Sequence, residues 1–288
     1  MFPKRGYLLD VSGRTPKRST FEELVDTLVA YRYNEFWLFA EKAIPDDIDA
    51  ERLAAYCRMQ GIDVKFLNRD AYAEAVADRV VVRTEAARSL AGRVEEMRER
   101  MIEAETKGRA SGAKGFLVID FADDCNWQPL CVSLPAILMG GAFASSGAKS
   151  AKMDLERELD RVLGAPLGGV LLKLGTLYLR GGATRPDGSE LFNILASPIG
   201  YSRHPGLTDC ILDEISGIAC GIRIACEKWT DRSDWAKEIA YAAQLVNAAC
   251  NRRDERRLRE LRDEHGRIWR MRFADFGRVE SLSRLPRF

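Results

Sequence analysis

The chain has 288 residues, 46% of them hydrophobic, 30% charged and 9% aromatic, a globular composition that excludes disorder as a whole-chain description. Forty-four Lys and Arg against 43 Asp and Glu leave a net charge of +1, so no bulk field draws in nucleic acid or an anionic membrane, and neither is expected as a partner. Seven Cys with no C-x-x-C spacing exclude a small disulfide scaffold and suit a reducing compartment; the first residues lack a signal-peptide layout, so a cytoplasmic location is expected.

In chain order, residues 6–11 (GYLLDV) form a short apolar run ending at a polar, Gly-containing turn, and read as a buried strand. Ser19 or Thr20 then offers a cap with an acid three residues on, and Leu24, Leu28 and Tyr31 follow at helical spacing. Residues 35–40 (EFWLFA) are a second strand, 50–60 a helix and 63–67 a third strand. Strands of continuous rather than alternating hydrophobicity, separated by helices, predict a parallel sheet buried on both faces. Residues 69–78 are short, polar and Ala-rich, and lead into a fourth strand at 79–83. A long charged helix is expected over 86–110, with Leu90, Val94, Met97, Met101 and Ala104 on one face. Residues 115–121 (GFLVIDF) are the clearest strand. Five strands before residue 125 fall short of a closed eight-stranded barrel.

The longest uncharged run, between Trp127 and Lys149, contains Pro129, Pro135, Gly140 and Gly141; its apolar part is shorter than the ~20 residues of a membrane span and reads as a buried helix. Beyond residue 149 only helical stripes emerge. They are Leu155, Leu159 and Val162; Val170, Leu171, Leu174, Leu177 and Tyr178; Ile211, Ile215, Ile218, Ile222, Ala225 and Trp229; Trp235, Ile239, Ala242, Val246 and Cys250; and Leu258, Leu261, His265, Ile268 and Trp269. The Arg-rich stretch from Arg252 to Arg272 is interleaved with acids and reads as a solvated helix face.

With two His, His204 and His265, and no Gly-rich phosphate loop, neither a His-centred triad, a His-rich metal site nor a nucleotide cofactor is expected. The dense spot is Asp120-Phe121-Ala122-Asp123-Asp124-Cys125-Asn126-Trp127 at the carboxyl end of a buried strand, the end where parallel α/β proteins bind ligands. Carboxylates there can grip sugar hydroxyls and an indole can cover a pyranose face; alternatively Asp120 caps the next segment and Trp127 is core. Asp10 and Glu41 stand at the ends of the first two strands and Arg5 before the first, which adds an Arg and two acids to a polyhydroxyl pocket.

Four blocks resemble glycoside hydrolase family 20, the β-N-acetylhexosaminidase type. RGYLLDVS at residues 5–12 resembles its first barrel strand and YNEFWLFAE at 33–41 the second; SLAGR at 89–93 and GAKGFLVIDFAD at 112–123, followed by Trp127-Gln128-Pro129, resemble the last two barrel units. The helical tail through EHGRIW at 264–269 is similar as well. The family wording near the second site is close to TDWGDxGHWQP, so Phe121, Ala122 and Asn126 stand where Trp, Gly and His are expected. The middle of the barrel, which carries the family's catalytic Asp-Glu pair, has no counterpart, and no catalytic residue is assigned. The resemblance implies that Arg5 grips hydroxyls while Asp120, Asp123 and Trp127 line the pocket.

The expected architecture is therefore α/β, an incomplete TIM-barrel-derived (β/α) domain over residues 1–148 and an α-helical domain over 149–288. Its raw sheet edges must be covered by helices or paired with a second copy, so a homo-oligomer is expected. The expected function is that of a β-N-acetylhexosaminidase-like glycoside hydrolase acting on or binding N-acetylhexosamine-containing carbohydrate without cofactor or metal. The alternative is a catalytically inactive pseudoenzyme or an interaction protein. The candidate ligand-binding residues are Arg5, Asp10, Glu41, Asp120, Asp123 and Trp127.

Overall fold

A computed structural model of the chain describes every residue except 44, 47, 124, 183, 186–187, 198–200, 252–253 and 287–288, together with the side chains of 148, 151, 181–182 and 184–185. Five strands, β1 (Lys4–Asp10), β2 (Glu35–Phe39), β3 (Asp63–Leu67), β4 (Arg79–Arg83) and β5 (Gly115–Asp120), pair in parallel in the order β3-β2-β1-β5-β4. Helices α1 (Arg18–Ala30), α2 (Ala50–Met59), α3 (Arg69–Ala75) and α4 (Val94–Ala110) connect them in turn. Strands β3 and β4, consecutive in sequence, are the two edges of the sheet.

That order makes α3 cross the sheet, and the two faces differ accordingly. Tyr7, Leu9, Phe36, Leu38, Val82, Phe116 and Val118 point into the main core with the helices. The alternate residues Leu8, Trp37, Phe39, Leu67, Leu117 and Ile119 form a second cluster, covered by Tyr72, Ala75 and Val76 of and beside α3. Side chains alternate across each strand, so one apolar run serves both cores. At the amino-terminal end of this second face, Arg79 of β4 reaches Glu35 of β2 with two bonds of 2.5 and 3.0 Å. Its guanidinium lies over the Trp37 ring at 4.5 Å. Gly115 leaves the path clear, since a Cβ there would stand 2.8 Å from Arg79 Nη1.

The remaining elements are helical apart from a two-residue hairpin, β6 (Thr184–Arg185) with β7 (Gly188–Ser189), in a region where no strand was expected. Helix α5 (Leu134–Ser146) is the uncharged run and is almost wholly buried; at Gly140 a Cβ would meet Val118 Cγ2 at 2.3 Å, so β5 and the helix pack at close range. Then follow α6 (Leu155–Leu163), α7 (Gly168–Leu174), α8 (Glu190–Ala196), α9 (Asp209–Glu227), α10 (Asp234–Cys250), α11 (Glu255–Arg272) and α12 (Arg278–Arg284). The main core runs from Phe2 to Leu285, across residue 148. Among the described residues, no single helix is long and apolar enough to cross a membrane.

Two latches join the helices to the sheet. Ala274 N donates to Thr15 O at 2.8 Å and Lys17 N to Arg272 O at 2.8 Å. Beneath them Glu238, fully buried, accepts from Cys131 N at 2.7 Å and from Arg272 Nε, and Arg272 also reaches Glu23 at 2.5 Å. Burial raises the Glu238 carboxyl above the usual range although Arg272 opposes it.

Three local expectations change. Helix α1 starts at Arg18, after Lys17 rather than a Ser or Thr cap, because Thr20 Oγ1 is committed to Arg272 O at 3.0 Å. Helix α4 starts at Val94, not at residue 86: Glu85, Arg88 and Leu90 have positive φ. Ser89 Oγ donates to Ala86 O and accepts from Gly92 N at 2.8 Å, and Arg93 forms a buried ion pair with Glu85; these polar anchors outcompete the helix. The buried face of α9 is Leu212, Ile215, Ala219, Ile222 and Cys226, a rotation away from the stripe through Ile211, Ile218 and Ala225.

Candidate functional site

At the carboxyl ends of β1, β2 and β5 lies a cavity of about 530 Å³, closed on its far side by α12. Its apolar part is a triad of rings. Phe39, Tyr72 and Phe121 meet edge to face with centroids 5.2, 5.6 and 5.7 Å apart, the usual geometry of packed aromatic groups. Strand alternation places Phe39 and Phe121 here, and the start of α3 directly after β3 brings in Tyr72.

Three of the expected acids rim the cavity: Asp10, Glu41 and Asp123. Asp10 accepts from Ser12 N at 2.8 Å; burial raises its carboxyl above the usual range, against the pull of Ser12, Ala122 and Arg14. Glu41 is held by its own N–H, which donates to Ser12 Oγ at 2.9 Å, and its carboxylate stands 3.6 Å from Arg69 in an exposed ion pair. Asp123 is mostly engaged by the backbone: Oδ2 accepts from Arg88 N at 2.7 Å, and Oδ1 from Cys125 N at 2.9 Å and Asn126 N at 2.8 Å. It fixes the loop after β5 and keeps only its spare lone pairs for a ligand. Asp124 lies outside the described residues.

The other three expected residues are elsewhere. Arg5 is at the opposite end of β1, roughly 17 Å from Asp10 at 3.3 Å per residue; its side chain donates to Arg32 O at 2.5 Å and Phe2 O at 2.8 Å, closing the turn before β2. An Arg preceding a parallel strand stands at its amino end, away from the ligand-binding end. Asp120 is buried on the helical face, where it accepts from Tyr7 Oη at 2.8 Å and Thr84 Oγ1 at 2.9 Å. Leu117, Ile119 and Phe121 occupy the cavity-side positions of β5, so alternation sends Asp120 the other way. Trp127 is 1% exposed, packed 5.7 Å from the Phe192 ring with Nε1 donating to Ser281 O at 3.2 Å. The indole is core.

Sequence reasoning missed Ser12, Arg69, Tyr72, Glu280 and Arg284, and named Asn126 only as part of the dense spot; all six line the cavity. Asn126 has φ 52° and a buried Oδ1 with no hydrogen-bond partner. Its position against Gly13, whose Cβ would fall 2.3 Å from Asn126 Nδ2, pairs a small residue after β1 with an Asn after β5. Glu280 and Arg284 pair at 2.7 Å on α12; they come from the far end of the chain and carried no local signal.

Ser281 also lines the cavity and stands 3.0 Å from His265 Nε2, while His265 Nδ1 is 2.6 Å from Tyr241 Oη. This is not an activated nucleophile. Ser281 Oγ donates to Cys125 O, so His265 Nε2 is the donor to Ser281 and Tyr241 donates to Nδ1. Each proton in the chain is already used, and the imidazole has no free base for the serine. Burial first, then Arg14 and Arg262, depress His265 to about 3, which keeps it neutral. Among the described residues, no three His, Cys, Asp or Glu side chains group as metal ligands.

Compared with models of protein families and with curated proteins, the sequence matches none. The cavity's chemistry is therefore its own evidence: acids to accept hydroxyl protons, two arginines at the rim, and aromatic rings below.

Proposed function

We propose that the chain binds an N-acetylhexosamine-type sugar in the cavity above Phe39, Tyr72 and Phe121 without hydrolysing it, as a shortened relative of the β-N-acetylhexosaminidase barrel. In that reading β1, β2 and β3 are the first three barrel strands, and β4 and β5 the last two. The pairing of β5 with β1 supports it, because in a closed barrel the last strand meets the first. Helix α3 then stands where the middle strands, with their catalytic acids, would pass. The observation that carries the reading is the combination of Asp10 and Glu41 with an aromatic floor in one cavity at the ligand-binding end of the sheet.

A second reading, a working hydrolase, is favoured by one feature. Asp10 has its carboxyl raised by burial, a property of general acids that protonate a leaving oxygen. One pair of measurements separates the two. Titration calorimetry with N-acetylglucosamine should give saturable binding, weakened about tenfold or more by Glu41→Gln, the scale of a charged hydrogen bond. Aryl N-acetylglucosaminide should release no nitrophenol. Release that disappears in Asp10→Asn establishes the hydrolase; absence of binding to the sugar in millimolar amounts retires both.

A further inference from the structure

Helices α9, α10 and α11 enclose a second cavity, of about 270 Å³, that shares no residue with the first. Arg223 enters it from α9, Arg256 and Arg257 from the first turn of α11, and Gln244 and Asn247 from α10, with Glu260 the one acid in its lining. We propose that this cavity binds a small phosphomonoester that also carries hydroxyl groups.

The charge is the first argument. Three guanidinium groups from two helices face a space lined by a single carboxylate, and planar forks of N–H donors match phosphate oxygens two at a time. The first turn of α11, an 18-residue helix, adds the positive end of its backbone dipole. Present partners do not saturate these groups. Arg223 donates to Glu227 at 2.8 Å, Arg257 stands 3.0 Å from Asp254 and also donates from Nη1 to Asn247 Oδ1 on α10, and Arg256 is 3.8 Å from Glu260. The three ion pairs are half-exposed or exposed and lie within one helix or at its cap, the kind that contributes little and yields readily to a dianion.

The second argument is an orphan acceptor. Gln244 Oε1 is buried and has no hydrogen-bond partner, although its residue lines the cavity. A dianionic phosphomonoester head offers it no donor, so a hydroxyl elsewhere on the same ligand supplies one; inorganic phosphate can offer its own P–OH at neutral pH, and sulfate offers none. The size fits a small molecule, being below the usual ~300–1,000 Å³ of drug-sized pockets. Arg223 and Gln244 also border a wider groove running toward Arg267 and Arg270, which gives the cavity an entrance.

The test uses the whole chain at constant ionic strength, with calorimetry and thermal shift. The probes are glucose 6-phosphate, glycerol 3-phosphate, inorganic phosphate, glucose and sodium sulfate. Either organic phosphate, and inorganic phosphate, should bind more tightly than sulfate, and glucose should not compete with glycerol 3-phosphate. Arg223→Gln combined with Arg257→Gln should weaken binding at least ~10-fold, the scale of lost charged hydrogen bonds, with the ligand-free melting temperature as the control for folding. Gln244→Leu should abolish the preference for the phosphates over sulfate while leaving the anions bound. Phe276→Ala, outside both cavities, should leave the affinity for glycerol 3-phosphate unchanged. No binding of either organic phosphate, equal binding of sulfate, or binding that survives the double Arg variant overturns the proposal.

Discussion

Acid should weaken this protein through His265. The ring sits between Tyr241 and Ser281, 2% exposed, and its pKa falls from 6.5 to about 3 because burial, with Arg14 and Arg262 nearby, penalises the imidazolium. Between those values the unfolded chain takes up a proton that the native chain refuses, so stability is complete above pH 6.5 and declines as the pH drops. At pH 5 the loss is about 2 kcal/mol, from 1.36 kcal/mol per unit over the interval below 6.5. With an unfolding entropy near 2.1 cal/mol/K per residue, a chain of 288 residues should lose roughly 3 °C of melting temperature. Other buried groups act in the opposite sense. Asp10, Glu85 and Glu238 have raised carboxyls, chiefly from burial, and these regain stability on acidification. The assay is therefore a difference: urea unfolding of the native protein and of His265→Gln at pH 7 and pH 5. The variant should be less stable at pH 7, having broken the Tyr241–His265–Ser281 chain, yet show about 2 kcal/mol less acid sensitivity. Parallel pH profiles for the two proteins would refute the reasoning.

Two further outcomes follow from the packing. Arg79→Ala should destabilise in urea unfolding, by less than the ~3–5 kcal/mol of a wholly unpaired buried charge, because Glu35 keeps Lys65 at 3.4 Å; Arg79→Met paired with Glu35→Leu should recover most of that. Trp127→Ala should lower stability by about 3–5 kcal/mol and leave the affinity for N-acetylglucosamine per folded molecule unchanged, since the indole packs on Phe192 and Ser281; a calorimetric loss of affinity in folded variant would return Trp127 to the site.

The strands were legible because their apolar runs are compact and bounded by turns: residues 63–67 and 79–83 coincide with β3 and β4. What periodicity did not reveal was which face each residue takes. In a strand buried on both sides Ile119 and Asp120 look alike in pattern, and only the sheet's neighbours assign Asp120 to the helical core. The helical stripes at Trp235, Ile239, Ala242 and Val246 and at Leu258, Leu261, His265, Ile268 and Trp269 are buried as spaced. Residues 86–93 read as helix because Leu90 falls in helical register with Val94, Met97 and Met101, while the deciding contacts, Arg93 with Glu85 and Ser89 with Ala86, depend on how the chain returns on itself. Three of the four candidate acids reached the cavity, Asp10 and Glu41 for a general reason, their placement at strand carboxyl ends. Arg284 and Glu280 did not announce themselves, since their role comes from α12 docking some 150 residues away.

The direction of access to the candidate site follows from the order of the sheet. Strands β3 and β4 are adjacent in sequence and opposite in space, so the short α3 must run across the second face rather than beside it. Its Tyr72, Ala75 and Val76 cover Leu8, Trp37, Leu117 and Ile119, leaving that face charged at the bottom, where Arg79 meets Glu35, dry in the middle, and acidic at the top. A polar ligand crossing the dry layer would have to shed its water among side chains with no hydrogen bonds to return. It must therefore enter from the carboxyl end, past Arg69 on one side and Arg284 on the other. Tyr72 belongs to both the seal and the aromatic floor, so the helix that closes the middle of the sheet also forms the base of the cavity.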